Sequence, residues 1–271
     1  ATPGPLEPRC AAGVIMRLQL LSDLHLETEA FDPLPAPDAD VLVLAGDIDA
    51  SWAGLERFAD WPVPVLLVAG NHEFDGCEWN DAWPALRAHA SACGVRLLER
   101  EILEFVDGDG RRVRLMATTR WSDFDLYGAA QRERAMRSAG YFLRLMRATR
   151  DGRPFDAAAV RAEALACRHW LAQALAQPHD CDATVVVTHF APSAASADPR
   201  FGQQPSTASF CNDDDALLVQ ADLWLHGHVH CCHDYAIVRN GRPPTRVVCN
   251  ARGLADKNEG AGFDPLRVVE V

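Results

Sequence analysis

The sequence predicts an α/β layered fold, on three observations. Short β-branched or aliphatic runs recur, each closing in a polar or glycine-bearing turn; helical patterns lie between them in the first half; the second half returns mostly to strands. RLQLLSD from Arg17, VLVLAGD from Val41, VLLVAGN from Val65 and VRLMATT from Val113 read as buried strands, with a helix expected around Trp79–Cys93. From Ala129 to Gln177, QRERAMRSAGYFLRLMRATR and AAAVRAEALACRHWLAQALAQ space their apolar residues three and four apart, which predicts helices interrupted around Asp151–Pro154. The apolar stripe of this helical insert, at about 129–177, must be covered: by packing on the sheet in the simplest case, otherwise as a lid or dimer face. Strands follow in TVVVTHF from Thr184, DLWLHGHVH from Asp222, Tyr235–Val238, TRVVCNARG from Thr245 and LRVVEV from Leu266. Loops at 191–205 and 251–264 are rich in Pro, Ser, Ala, Gly or Asn and have the length that often carries function.

No repeat or linker divides the chain, so residues 16–271 read as one domain, and residues 1–15, rich in Pro, Gly and Ala, as a disordered extension or cloning remnant. With 48% hydrophobic residues in 271, a sizeable core is within reach. The formal charge of −12 argues against nucleic acid, whose phosphate backbone needs clustered Lys and Arg, and favours a small-molecule partner. Nine cysteines are an odd number with no CxxC pair, which indicates neither a disulfide framework nor a zinc ribbon but the reduced thiols of a cytoplasmic protein. No apolar run approaches the roughly 20 residues of a membrane helix.

Chemistry is signalled by where the polar residues fall. Asp23 and His25, Asp47, Asn71 and His72, His189, and His228 with His230 each end a hydrophobic strand, and in open α/β sheets ligands gather at the carboxyl ends of strands. Asp23 and His25 are one residue apart, so in an extended segment both would point at one ion, and His228 with His230 repeats that spacing. Imidazole with carboxylate suits Mn, Fe or Zn better than Mg alone, and the absence of thiolates disfavours a structural zinc site. Gly46, Gly70 and Gly227 directly precede ligands, where a missing β-carbon permits close approach of backbone to metal or phosphate.

Taken in order, SDLH, GDID, GNHE, VTHF and GHVH resemble the blocks DxH, GD, GNH[ED], H and GHxH of the calcineurin-like metallophosphoesterase family, spanning Asp23 to His230. The resemblance implies a four-layer α/β/β/α sandwich, two packed mixed β-sheets flanked by helices, with a dinuclear metal site at the strand C-terminal ends. It implies two divalent or mixed-valence ions, with Mn, Fe or Zn as candidates and Mn expected to serve in vitro. Asp23, His25 and His230 would hold the first, Asn71, His189 and His228 the second, with Asp47 bridging and His72 catalytic. The implied reaction is phosphoester hydrolysis by a metal-bridging hydroxide. Protein phosphatases of the family carry GDxxDRG where this chain has GDIDASW, and one lipid-precursor pyrophosphatase branch has Arg in place of His72; these departures disfavour both branches, and the compact core and acidic charge favour a small-molecule phosphodiester or phosphomonoester, nucleotides included. A nuclease would need a basic groove, and a non-catalytic scaffold of this fold would have lost ligands that are all present here.

Neighbouring residues have ordinary readings beside functional ones. Glu73 either orients His72 or caps a surface helix; Asp49 caps a loop or helix; His226 and His233 lie outside the metal shell; Cys231 and Cys232 serve packing. The run RWSDFDLYG from Arg120 is either a substrate wall or packing, and Arg200 either a phosphate ligand or a solvated loop charge.

Overall fold

The computed structural model describes residues 15–271, so the extension expected over 1–15 lies, except for Ile15, outside the described residues. In chain order the elements are β1 (Arg17–Leu21), β2 (Val41–Leu44), β3 (Val65–Val68), α1 (Trp79–Ala92), β4 (Val95–Leu98), β5 (Glu101–Val106), β6 (Arg112–Thr118), α2 (Ala129–Met146), β7 (Thr149–Arg150), β8 (Arg153–Pro154), α3 (Ala157–Ala176), β9 (Ala183–Thr188), α4 (Asp215–Leu218), β10 (Leu223–His226), β11 (His233–Arg239), β12 (Arg242–Cys249) and β13 (Val268–Glu270). The first sheet has the order β13-β1-β2-β3-β4, with β1 to β4 parallel and β13 antiparallel on β1. The second has the order β11-β12-β10-β9-β6-β5, parallel through its four inner strands and antiparallel at both edges.

Alternation along the strands explains the layers. Leu18, Leu20, Val41, Val43, Leu66 and Val68 of the first sheet pack against Val113, Leu115, Val185, Val187, Leu223 and Leu225 of the second. The opposite face of the first sheet, Leu42, Leu44, Val65 and Leu67, is covered by Trp79, Ala82, Leu86 and Ala90 of α1. The opposite face of the second, Val186, Trp224 and Val247, is covered by Leu171 and Leu175 of α3 and Leu217 and Leu218 of α4. Both faces of each sheet are therefore dry, which is why these strands read as unbroken apolar runs, and each buried Val or Leu contributes about 1.5–3 kcal/mol. The result is two mixed sheets flanked by helices.

The break expected near Asp151–Pro154 is a two-residue hairpin between β7 and β8, with Asp151 at φ 53° and Gly152 at φ 69° as such a turn requires. After it, Asp156 caps α3 by accepting from the Ala158 and Ala159 amides, both at 3.0 Å. The inward stripe of α2, Ala135, Ala139 and Met146, joins the core, while Tyr141, Phe142 and Leu145 stay exposed. The RWSDFDLYG run is core rather than substrate wall over most of its length: Trp121 packs among Phe74, Trp79, Phe155 and Phe190, and Phe124 is buried. Arg120 is fully buried, donating to both carboxylate oxygens of Asp214 (2.8 and 2.9 Å) and to Asp123 (2.8 Å). Among the described residues, no helix is long and apolar enough to cross a membrane.

Candidate metal centre

Parallel pairing aligns the carboxyl ends of β1, β2 and β3 on one rim and those of β9 and β10 on the rim of the facing sheet. Asp23 and His25 follow β1, Asp47 follows β2, Asn71 and His72 follow β3, His189 follows β9, and His228 and His230 follow β10. The His228 amide ties the rims together by donating to the Asp23 carboxylate at 3.0 Å, and within the first rim the His72 amide donates to Asp47 Oδ1 at 2.8 Å. Strand alternation is not what aims the paired residues. β1 stops at Leu21 and β10 at His226, so Asp23, His25, His228 and His230 lie in loops, with left-handed φ of 52°, 46°, 70° and 49°; Asp47 joins them at 53°. Asp and His tolerate this region better than most residues, and such backbone costs about 1–3 kcal/mol per position, which the surrounding structure must offset.

Two overlapping groups result. Asp23, His25, Asp47 and His230 bring one potential ligand atom each to within 4.8 Å of one another, and so do Asp47, His189 and His228, with Asp47 common to both. Asn71 Oδ1 is buried and unpartnered, on the β3 loop between Gly70 and His72. His72 stands next to His25, ring centroids 5.1 Å apart, with its side chain 39% exposed.

Each imidazole is aimed by what holds its other nitrogen. His25 Nδ1 donates to Glu27 Oε1 (3.0 Å), His230 Nδ1 to Glu259 Oε2 (2.6 Å), His189 Nδ1 to the Ala45 carbonyl (2.7 Å), His228 Nε2 to the Ser209 carbonyl (3.2 Å) and His72 Nδ1 to Asp75 Oδ2 (2.7 Å). Glu27, Asp75 and Glu259 escaped the sequence reading. For Glu27 and Asp75 the available signal was an acid two or three residues from a site histidine; Glu259 had none, since its partner lies 29 residues away.

The donor set fits metal ions. Asp47 Oδ2, Asn71 Oδ1 and His189 Nε2 are buried without a hydrogen-bond partner, although the first and last stand 3.2 Å apart, and an orphaned buried polar atom costs about 1–3 kcal/mol. With their protons held on Nδ1, His25 and His230 turn bare Nε2 atoms on each other at 3.1 Å, a contact that only a proton or a cation between them relieves. Electrostatics agree. Burial pulls His189 and His230 toward neutrality, yet Asp47 and Asp23 raise His189 to about 9, and Asp23 with Glu259 raises His230 to about 10. Burial, aided by the neighbouring His189, takes His228 down to about 3. Burial likewise opposes ionised Asp47, but His189 and His72 hold it well below the usual carboxylate range. Such a concentration of negative charge favours cations, which displace the protons that the ligands would otherwise bind.

Glu73 neither orients His72 nor caps a surface helix. It is buried, and its carboxylate accepts from the amides of Asp47 (3.0 Å), Ile48 (2.7 Å) and Gly70 (2.6 Å), stapling two ligand loops together. Asp49 accepts from Ser51 and from the Gly54 amide as a loop cap. His226 bonds Ser196 Oγ at 2.9 Å, away from both ligand groups, Cys231 Sγ lies 3.1 Å from His233, and Cys232 faces Asn250 and the Ala251 carbonyl. Arg200 is paired with Asp198 and reaches the Asn258 carbonyl.

A family model for calcineurin-like phosphoesterases matches residues 16–232. Among solved structures, a phosphopantetheinyl hydrolase from Mycobacterium tuberculosis superposes with a TM-score of 0.68 at 17% identity, covering 91% of this chain and 92% of that one. A second solved chain superposes with a TM-score of 0.50 at 10% identity, covering 95% of this chain and 99% of its own length. At these identities the likeness speaks for the fold alone. No curated protein sequence matches the chain.

Proposed function

The chain belongs to the calcineurin-like phosphoesterase family, and from that premise we propose that this metal-dependent hydrolase acts on a small-molecule phosphodiester or phosphomonoester, using manganese, iron or zinc. The observation that carries the reading is the pair of unpartnered atoms Asp47 Oδ2 and His189 Nε2, 3.2 Å apart, together with the facing His25 and His230 nitrogens at 3.1 Å. Asp23, His25 and His230 would hold one ion, Asn71, His189 and His228 the other, with Asp47 between them. When bound, the ions supply an activated water at neutral pH and neutralise charge on the transferring phosphoryl group.

What the chain itself does follows from its hydrogen bonds. Glu73 and the left-handed loops fix the ligands before substrate arrives, so little reorganisation is needed during reaction. His72 sits beside the ligand groups rather than within them, and Asp75 holds its Nδ1 proton, leaving Nε2 to meet a phosphoryl oxygen or to give a proton to the leaving alkoxide. Burial disfavours the charged imidazole, but Asp47 and Asp75 raise His72 to about 9, which suits the donor role.

Metal-stripped protein given Mn²⁺ is expected to hydrolyse p-nitrophenyl phosphate or its bis-p-nitrophenyl diester. Asp47→Ala should abolish turnover, and His72→Ala should lower kcat by roughly 10²–10⁴, the usual share of a general acid. The preferred ester separates phosphatase from phosphodiesterase substrates, and the phosphopantetheinyl hydrolase neighbour adds a phosphopantetheinyl diester to the panel. Absence of Mn²⁺-restored turnover on all of these esters would overturn the reading.

A further inference from the structure

The two ligand groups differ in what stands behind their histidines. His189 and His228 rest on backbone carbonyls, which are neutral. His25 and His230, which share the group containing Asp23, each rest on a carboxylate, Glu27 at 3.0 Å and Glu259 at 2.6 Å. Both acids are sheltered, with side chains 21% and 12% exposed, and both are fixed by a backbone amide as well: Ala50 N donates to Glu27 and Leu254 N to Glu259, each at 3.0 Å. Glu259 belongs to the loop after β12, beyond the stretch matched by the family model. That loop is laid along the β1 loop, Arg252 N donating to Ser22 O and Gly253 N to Asp23 O at 3.0 Å. Gly253, at φ +62°, has no room for a side chain, since a β-carbon there would lie 2.8 Å from that of Glu259.

We propose that Glu259 and Glu27 are positioning residues for one ion of the pair, the one facing Asp23, His25 and His230, and that their charge raises the affinity of that site alone. A carboxylate on the far nitrogen fixes the ring's tautomer and direction and makes the near nitrogen a better donor, an effect worth about 10- to 100-fold in metal affinity. The inference rests on the dinuclear-metal reading above.

The test is Mn²⁺ titration of the metal-free protein by calorimetry, with bound ions counted by electron paramagnetic resonance. Wild type should take up two ions. Glu259→Gln keeps an oxygen that can accept from both His230 Nδ1 and Leu254 N, so the loop should stay in place and the metal-free protein should still unfold cooperatively. One binding constant should fall by about 10- to 100-fold while the other holds, and at limiting Mn²⁺ the spin-coupled pair should give way to an isolated ion. Glu27→Gln should weaken the same ion. Unchanged constants in both variants, or equal weakening of both ions, would overturn the proposal. If Glu259→Gln melts early without metal, Glu27→Gln on its separate loop decides the matter. Wild type that binds no Mn²⁺ would instead refute the metal reading on which the proposal stands.

Discussion

Gly70 shows how tightly single residues are constrained around the ligands. A β-carbon added there would meet the Asp47 amide at 2.6 Å and His189 Cε1 at 2.7 Å, atoms that cannot retreat without moving both ligands. Gly70→Ala is therefore expected to cost about 1–3 kcal/mol in urea unfolding, as overpacking does, and to weaken Mn²⁺ binding as well; wild-type metal affinity in that variant would contradict the account. The six residues that gather in the two ligand-atom groups could be picked out in the sequence because each comes within about four residues of its strand's end, so a one-dimensional pattern marks a three-dimensional rim. Their geometry was not legible. Left-handed φ at Asp23, His25, His228 and His230 replaces the extended spacing that the sequence suggests. The role of Glu73 was hidden for a related reason, because its partners are backbone amides, two on the β2 loop and one on its own, rather than the histidine beside it.

At the scale of elements, the Arg120 contacts join the end of β6 to the start of α4, and through the Ala164 carbonyl (3.2 Å) to α3. Removing the guanidinium leaves buried Asp214 with the half-exposed Arg168, 3.3 Å away, as its remaining charge partner, so Arg120→Ala should lose about 3 kcal/mol of stability in urea unfolding. Asp123 adds a pH dependence. Burial would raise its pKa, but Arg120 lowers it below the unfolded value, so its contribution is complete above about pH 4 and is lost as pH falls through the lowered folded value. The wild-type unfolding midpoint should thus drop on acidification below pH 4, and in Asp123→Asn that part of the drop should vanish. Strands buried on both faces declared themselves as apolar runs, whereas β4 and β5 did not. β4, at the edge of the first sheet, is interrupted by the exposed Arg96, and β5, an edge strand with Glu101, Ile102, Glu104 and Val106 turned outward or half-exposed, dilutes its apolar signal with charge.

Across the whole molecule, the first sheet supplies Asp23, His25, Asp47 and Asn71, and the second supplies His189, His228 and His230. Ions bound between them would link the two halves of the sandwich, so Mn²⁺ at 100 times its Kd should add about 2.7 kcal/mol per site to unfolding stability, read as a rise in the thermal midpoint that a chelator reverses. No rise on loading would separate metal binding from the fold. The same arrangement has a meaning for biosynthesis. More than two hundred residues separate Asp23 from Glu259, and β12, the strand between β10 and β11, is translated after every ligand. A chain still threading from the ribosome can form β1 to β4 with four of its seven expected ligands in hand, yet it holds no complete pair of metal pockets. Hydrolytic competence therefore waits until β12 and its following loop have been made, which keeps a partly made domain from acting on phosphoesters before its architecture is closed.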